Sequence, residues 1–549
     1  MNASWGNLLR VSGGKPRAEA WAVGVGVAVA YWALRLSGAL VLGALHDDAV
    51  YVALGKALAQ GQGYHSVYAA GAPVHLKYPP GLPALYAILW IAGRSLPVVT
   101  SLAAASSLAA TAAAAGLLWW FARSELGLGP AIAAACAMGP FFLDPLLLYL
   151  SLPASEPYFV LGWAALLVLS SRLPHAPRVG RAVVLGGVAA ATVLFRLQAL
   201  GVLAGLLVAL ACRRTPARLL AAFLASSLLP LALWAWVHQA QVAAGPISTQ
   251  PDEAGYLTWL PAAHPTRWAA FALAALRVNG PAYADQIPRY LSASAIAGTV
   301  LLSLGAAFAL AGAARLGRRQ LPLSLTLAGN ALVVLLWPWP QDRLVLTMLP
   351  FGGLLAGVAV AHALGRSSAP LRRAGYGALA LLGTSVALRQ TELRAFAYRP
   401  VSPRVVLHVP YPGHFIAANR RFVSVVSAWV RDHTDPADRV IADAPAAIYL
   451  YSGRQAVAAA PATSVLAPSW FEHPGTYLAG RILDDRVSVV VLTDIRHPLT
   501  PDVAEVFKRC PGVLRYVGTA AWWEGPARAF FYRVVEPREA CLEALRSGG

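Results

Sequence analysis

From Trp21 to Leu388 the chain is a succession of apolar blocks of roughly 17–25 residues, each long enough to cross a bilayer as a helix. Composition agrees: only 13% of the 549 residues are charged and 58% are hydrophobic, whereas a soluble domain carries about 25% charged residues. A chain patterned in this way folds as a mostly α, polytopic membrane protein. Its N-terminal segment is basic and then apolar from Trp21 to Leu45, too long for a signal-peptide core, and reads as an uncleaved first span.

The formal net charge of +19 raises nucleic acid as a partner, but the placement of the charges argues against it. They collect in short loops between the apolar blocks: Arg10, Lys15 and Arg17; Arg123; Arg172, Arg178 and Arg181; Arg213, Arg214 and Arg218; Arg315, Arg318 and Arg319; Arg366, Arg372 and Arg373. Basic clusters at every second loop are the positive-inside signature, so no nucleic-acid partner is expected. This fixes about eleven crossings, at Trp21–Leu45, Pro97–Ala122, Pro130–Leu150, Pro157–Ser170, Ala182–Phe195, Leu197–Cys212, Leu219–His238, Tyr290–Ala314, Leu321–Trp337, Leu344–Leu364 and Gly375–Leu388. The block "YPPGLPALYAILWIAG" is short and proline-punctuated, and it reads as a helix lying along or dipping into the outer interface. Outside the cytoplasm then lie the first loop 46–96, the tip 151–156, the turn at Arg196, the loop 239–289 and the tip "WPWPQDR".

Beyond about residue 389 the pattern changes. "RFVSVVSAWVRDH" reads as an amphipathic helix, and "DRVIADAP", "RVSVVVLTD" and "RAFFYRVVE" as short buried strands. Residues 1–388 are thus expected to form a transmembrane domain, and 389–549 an extracytoplasmic α/β domain. Asp443 and Asp494 end two of these strands, where ligands bind in α/β sheets but where turn residues are also common. A Cys510–Cys541 bridge is possible if this domain lies outside the cytoplasm; Cys136 and Cys212 fall in apolar blocks. There is no Walker-type glycine loop, no His-Glu-x-x-His and no internal repeat.

Polar groups gather at one membrane face from segments far apart in sequence: Asp47 and Asp48 at the mouth of the first span, Asp144 and Glu156 around the end of the third, Arg196 and Arg343. Charges at membrane depth are costly and default to paired or functional roles. A bland reading exists for each: Asp48 or Asp47 capping a helix that starts at Ala49, Glu156 capping the fourth span, the arginines snorkelling. Collectively they suit another chemistry. A surface carboxylate can take a proton from an acceptor hydroxyl or amine, arginines can hold and neutralise a phosphate leaving group, and apolar walls can hold a lipid tail.

The stretches "DDAVYVALGKALAQGQGY", "KYPPGLP", "SEPYF", "FRLQAL" and "QDRLVLTMLP", in that order, resemble the GT-C integral-membrane glycosyltransferases over roughly residues 20–390. The nearest likeness is to the bacterial relatives of protein O-mannosyltransferases and of the lipid A aminoarabinose transferase. The resemblance implies an inverting enzyme that moves a monosaccharide from a polyprenyl-phosphate donor to an envelope glycan, lipid or protein. It implies Asp47 as general base or acceptor-orienting acid with Asp48 beside it, Glu156 as second acid, and Arg343 and Arg196 at the lipid-phosphate site. Related enzymes place a phosphate-contacting lysine directly before the first-loop proline. Here Tyr78 holds that place and Lys77 precedes it, so either is expected to serve the phosphate. His46 and His75 are secondary candidates in the same loop. Some members need a divalent cation, which Asp47, Asp48 and Glu156 could ligate. The implied setting is the bacterial inner membrane, with the site on the extracytoplasmic side. A transporter or flippase of a lipid-linked sugar is the alternative, although the repeated halves and broken spans of carriers are missing from the sequence.

Overall fold

The computed structural model describes residues 16–35, 41–43, 45, 47–173, 178–244, 265–338, 340–397, 412–459, 475–493, 500–521, 528–535 and 539–547. His46 and Asp494 lie outside the described residues. By internal packing the chain divides into two compact units, one of Met1–Gly38, Ala104–Trp236 and Ala272–Phe396, the other of Ala39–Ala103, Val237–Phe271 and Ala397–Gly549.

Each of the expected spans contains a helix. Among the described residues four helices are long and apolar enough to cross a membrane, Leu96–Ser124, Ala217–Ala243, Ala295–Ala313 and Asp342–Arg366, and a bent pair, taken as one span, makes a fifth. Helices Val179–Phe195, Ala199–Cys212 and Leu321–Leu335 are apolar but shorter. Prolines punctuate the starts: Pro130, Pro157, Pro322 and Pro350 stand in the first turn of their helices, where the missing N–H has no intrahelical acceptor to lose. The bent pair is the third expected span. Pro130–Phe142 and Asp144–Ser151 meet at 67°, after a π turn at Ala134–Met138 and a 3-10 turn at Gly139–Phe142. Pro140 has no N–H to continue the ladder, which gives the bend a local cause.

Within the first unit the helix Glu156–Arg172 is fixed by Trp163. Its indole stacks on Phe351 with ring centroids 3.7 Å apart, and its Nε1 donates to Thr326 Oγ1 at 2.9 Å. One fully buried side chain thus ties three helices together, with Glu156 two turns above it on the same face.

One expectation is corrected. The loop 239–289 is not loop throughout: Ala217–Ala244 runs past His238, and Pro265–Leu291 is a helix with Pro281 and Pro288 inside it. The alanine-rich run Ala269–Arg277 carries strong helix formers, and the helix continues through prolines that the sequence presents as breakers.

In the second unit, "GLPALYAILWIAG" forms the helix Gly81–Gly93, whose 13 residues span about 20 Å, too short to cross a bilayer. It packs on the helix Asp47–Ala59, with Trp90 Nε1 donating to Val52 O at 2.9 Å. The same unit holds a five-stranded mixed sheet in the order β2-β1-β3-β5-β4: β1 (Val440–Ala442), β2 (Ala456–Ala458), β3 (Val489–Thr493), β4 (Leu514–Ala521) and β5 (Arg528–Val534). β1 pairs parallel with β2 and β3, and β5 pairs antiparallel with β3 and β4. The three expected strands are β1, β3 and β5, and the expected amphipathic helix is Pro412–His433. Cys510 and Cys541 are joined, with Cα atoms 5.9 Å apart.

The first loop is bound to this α/β domain. Tyr451 Oη accepts from Leu42 N–H at 2.8 Å, and Tyr68 O accepts from Ala456 N–H at 2.7 Å beside β2. Gly43 adopts φ +92°, and a Cβ there would lie 2.5 Å from that of Ala447, so the approach needs glycine twice over.

Candidate functional site

The acid pair opens the helix Asp47–Ala59, where two carboxylates favour the positive end of the helix dipole. The two differ in what they do. Asp48 is fully buried and its Oδ1 accepts from the N–H groups of Gly43, Leu45 and Ala49 at 3.1, 3.3 and 2.9 Å. It therefore ties the approach to the helix, while its Oδ2 has no hydrogen-bond partner among the described residues. Burial raises its pKa to about 7, against the lowering effect of the Ala49 and Gly43 N–H groups; the charge of Asp47 adds to the rise.

Asp47 is 8% exposed and accepts the Tyr78 hydroxyl proton. Tyr78 is itself held on several sides. Its N–H donates to His75 Nε2 at 3.1 Å, its carbonyl accepts from Tyr64 Oη at 2.9 Å, and its ring lies 4.8 Å from that of Tyr51 and stacks at 5.4 Å on His75. Because Nε2 accepts, the His75 proton sits on Nδ1, 3.0 Å from Ser66 Oγ. Burial first, then the charges of Lys77 and His238, push His75 down to about 3, so it is neutral. His75 is thus a structural part of the Tyr78 turn. Lys77 Nζ lies 5.3 Å from the Tyr78 ring centroid. The structure brings Asp47, Tyr78 and Lys77 together, with the tyrosine in contact with the acid.

Glu156, Arg196 and Arg343 form a second group, within the other unit. Glu156 is fully buried, and its Oε1 lies 2.8 Å from Arg196 Nη1 and 3.4 Å from Arg343 Nη1. Neither contact has hydrogen-bond alignment, so charge rather than geometry holds the acid. The arginines are aimed by their neighbours. Arg196 Nη1 donates to Ser155 Oγ at 2.6 Å and its Nε to Gln198 Oε1 at 2.9 Å. Gln198 Nε2 in turn donates to Leu344 O at 3.1 Å, and Arg343 Nε to Gln341 Oε1 at 3.2 Å. The Nη2 end of Arg196 has no partner among the described residues.

Sequence reading missed Asp342, which sets the turn before Arg343. Its Oδ1 accepts from Tyr149 Oη at 3.0 Å and from Arg343 N–H at 2.7 Å, and its Oδ2 from Tyr290 Oη at 2.6 Å. Its position inside "QDR" was the available signal; the two tyrosines, remote in sequence, gave none. Asp144 is buried, and its N–H donates to Gln390 Oε1 at 2.6 Å while Gln390 Nε2 donates to Tyr290 O at 2.8 Å. Asp443 follows β1 directly and precedes Ala444 at φ +54°, the position of a turn residue.

Among the described residues no group of three or more His, Cys, Asp or Glu side chains is placed to hold a metal ion. Asp48 spends one oxygen on three N–H groups and Glu156 faces two guanidiniums, an environment suited to anions.

No family model matches the sequence, and no curated protein matches it. Solved structures do. ArnT from Cupriavidus metallidurans in its apo state superposes with a TM-score of 0.55 at 12% identity, over 95% of this chain and 99% of that one. The same protein bound to undecaprenyl phosphate gives 0.53 at 12% identity, over 94% and 98%. The apo Archaeoglobus fulgidus oligosaccharyltransferase is more distant, at 0.48 and 13% identity over 87% of this chain and 69% of that one. The chain shares the fold of the Cupriavidus ArnT over nearly its whole length.

Proposed function

We propose that this GT-C-folded chain is an inverting glycosyltransferase that moves a monosaccharide from a polyprenyl-phosphate donor to an extracytoplasmic acceptor, an envelope glycan, lipid or protein. The observation that carries this reading is the Asp47 carboxylate, held by the Tyr78 hydroxyl at the head of a buried helix. The ArnT fold, seen there with undecaprenyl phosphate, supports the donor class.

In the proposed reaction the acceptor oxygen or nitrogen bonds to the anomeric carbon from the face opposite the phosphate. The bond from that carbon to the phosphate oxygen breaks, and its electron pair leaves with polyprenyl phosphate. Asp47 takes the acceptor's proton, while Asp48 holds the Gly43–Ala49 turn that presents it. Arg196 and Arg343 carry the developing phosphate charge, with Lys77 as a further cation. Glu156, in contact with both guanidiniums, offsets their mutual repulsion and holds them near each other before the donor arrives.

The proposed setting is the bacterial inner membrane with eleven crossings, residues 1–388 in the membrane and 389–549 outside. The Cys510–Cys541 bridge supports an oxidising compartment for the α/β domain.

The test is a panel of polyprenyl-phosphate sugars presented to the purified protein in lipid, with release of polyprenyl phosphate as readout. One donor is expected to be cleaved, and Asp47→Asn to slow release by about 10²–10⁴-fold while remaining folded. Donor binding or bilayer crossing without cleavage, indifferent to Asp47→Asn, would instead identify a carrier.

A further inference from the structure

The first unit contains a basic cleft that the proposed chemistry does not use. It has a volume of about 1060 Å³ and is lined by the turn after Leu96–Ser124, the link before Leu321–Leu335, the end of Leu349–Arg366 and the start of Ala369–Ala397. Arg343 and Arg366 stand at opposite ends of the single span Asp342–Arg366, about 35 Å apart at helical rise. The cleft is therefore a full membrane thickness from the Glu156 group.

Its lining is divided by polarity. Leu128, Ile132, Val358, Ala361 and Leu364 supply apolar surface, while Arg315, Arg366 and Arg372 supply cations. A fourth arginine is already committed: Arg123 pairs with Glu19 at 3.2 Å and donates to Leu128 O at 2.5 Å. The other three make no ion pair among the described residues; Arg315 Nη1 donates only to Ala311 O of its own helix, at 2.6 Å. Among the described residues Glu125 is the one acid in the lining. Three guanidiniums without an ion pair among the described residues, in one cleft with these apolar side chains, suit an anion that carries a hydrocarbon chain. All three belong to the basic loops of the positive-inside pattern, where a membrane presents anionic headgroups.

We propose that this cleft binds the phosphodiester headgroup of an anionic phospholipid, with the guanidiniums on the phosphate oxygens and an acyl chain along the apolar floor. Free phosphate shares the headgroup chemistry but would leave that floor wet, so the lipid is the occupant. The site is independent of sugar transfer, and its test reads binding alone.

The full chain, purified in detergent, would be exchanged into mixtures of phosphatidylglycerol and phosphatidylcholine, and retained lipid counted by native mass spectrometry. Phosphatidylglycerol should be retained preferentially, and 10 mM inorganic phosphate, used as a competitor at about a thousandfold excess over protein, should not displace it. The triple variant Arg315→Gln, Arg366→Gln, Arg372→Gln should weaken retention about 100-fold, at about tenfold or less per charge. A triple lysine variant, which keeps the charges, should retain most of the binding and controls for folding. Equal retention of phosphatidylcholine, displacement by inorganic phosphate, or wild-type retention in the glutamine variant would each overturn the proposal.

Discussion

Asp47 and Asp48 are neighbours with opposite duties, and substitutions can separate them. Tyr78→Phe removes the hydroxyl that fixes Asp47 but keeps the ring between Tyr51 and His75; we expect kcat to fall about tenfold with little change in donor KM, the pattern of a group that acts through another. Lys77→Met should do the reverse and raise donor KM, if the lysine rather than the tyrosine serves the phosphate. Asp48 offers a different signature. Its folded pKa of about 7 stands above the ordinary aspartate value of 3.8, so its stabilising contribution is complete below pH 3.8 and is lost as pH rises through 7, on the order of 4 kcal/mol. Thermal unfolding should show the wild type losing stability over that window relative to Asp48→Asn, whose amide oxygen still accepts the three N–H groups; parallel profiles would refute the assignment. At this scale the sequence named the charged residues because charge in an apolar context is conspicuous. It did not reveal Gln198, Tyr149 or Tyr290, since neutral hydrogen-bonding side chains look the same whether they aim an arginine or simply fill a helix face.

Helices were legible wherever periodicity and length agreed, and less so where a proline or a short strand cut across the pattern. Pro281 and Pro288 stand inside a helix, and β2 has only three residues. β4 was missed for another reason: "LRYVGTAA" is mostly exposed beyond Leu514 and shows no buried run. What local patterning cannot show at all is which helices touch. Helices Ala199–Cys212 and Leu321–Leu335 illustrate this, because their closeness rests on side chains that are missing. A Cβ at Gly201 would lie 2.4 Å from Gly329 O, and one at Gly205 2.1 Å from Leu325 O. These glycines are spaced four apart on one face, the small-residue arrangement that lets membrane helices approach closely. Gly205→Leu should therefore force the pair apart and lower thermal stability by about 1–3 kcal/mol, the usual cost of overpacking, whereas Gly187→Leu, at a helical glycine with open space around its Cβ position, should be close to neutral. Equal effects would mean that the contact contributes nothing.

For the molecule as a whole, the sequence conveyed the membrane class and the order of the apolar helices, but not that the first loop packs within the same compact unit as the C-terminal α/β domain. That association depends on single contacts, such as Tyr451 with Leu42 and Tyr68 with Ala456, which have no periodicity to announce them. Sidedness is the property on which the proposed function most depends, because polyprenyl-phosphate chemistry at Asp47 requires the first loop to lie outside. Basic clusters argue for it from the inner side and the Cys510–Cys541 bridge from the outer. A labelling experiment joins the two arguments. In a variant with Cys136 and Cys212 replaced by Ala, Ser367→Cys should react with an impermeant maleimide only in inverted vesicles. The Cys510–Cys541 pair should react in intact spheroplasts, and only after reduction. With an even number of crossings between residues 367 and 510 instead of the expected odd number, both positions would label from the same side. The α/β domain and the first loop would then face the cytoplasm, and the donor would have to be a cytoplasmic-leaflet lipid.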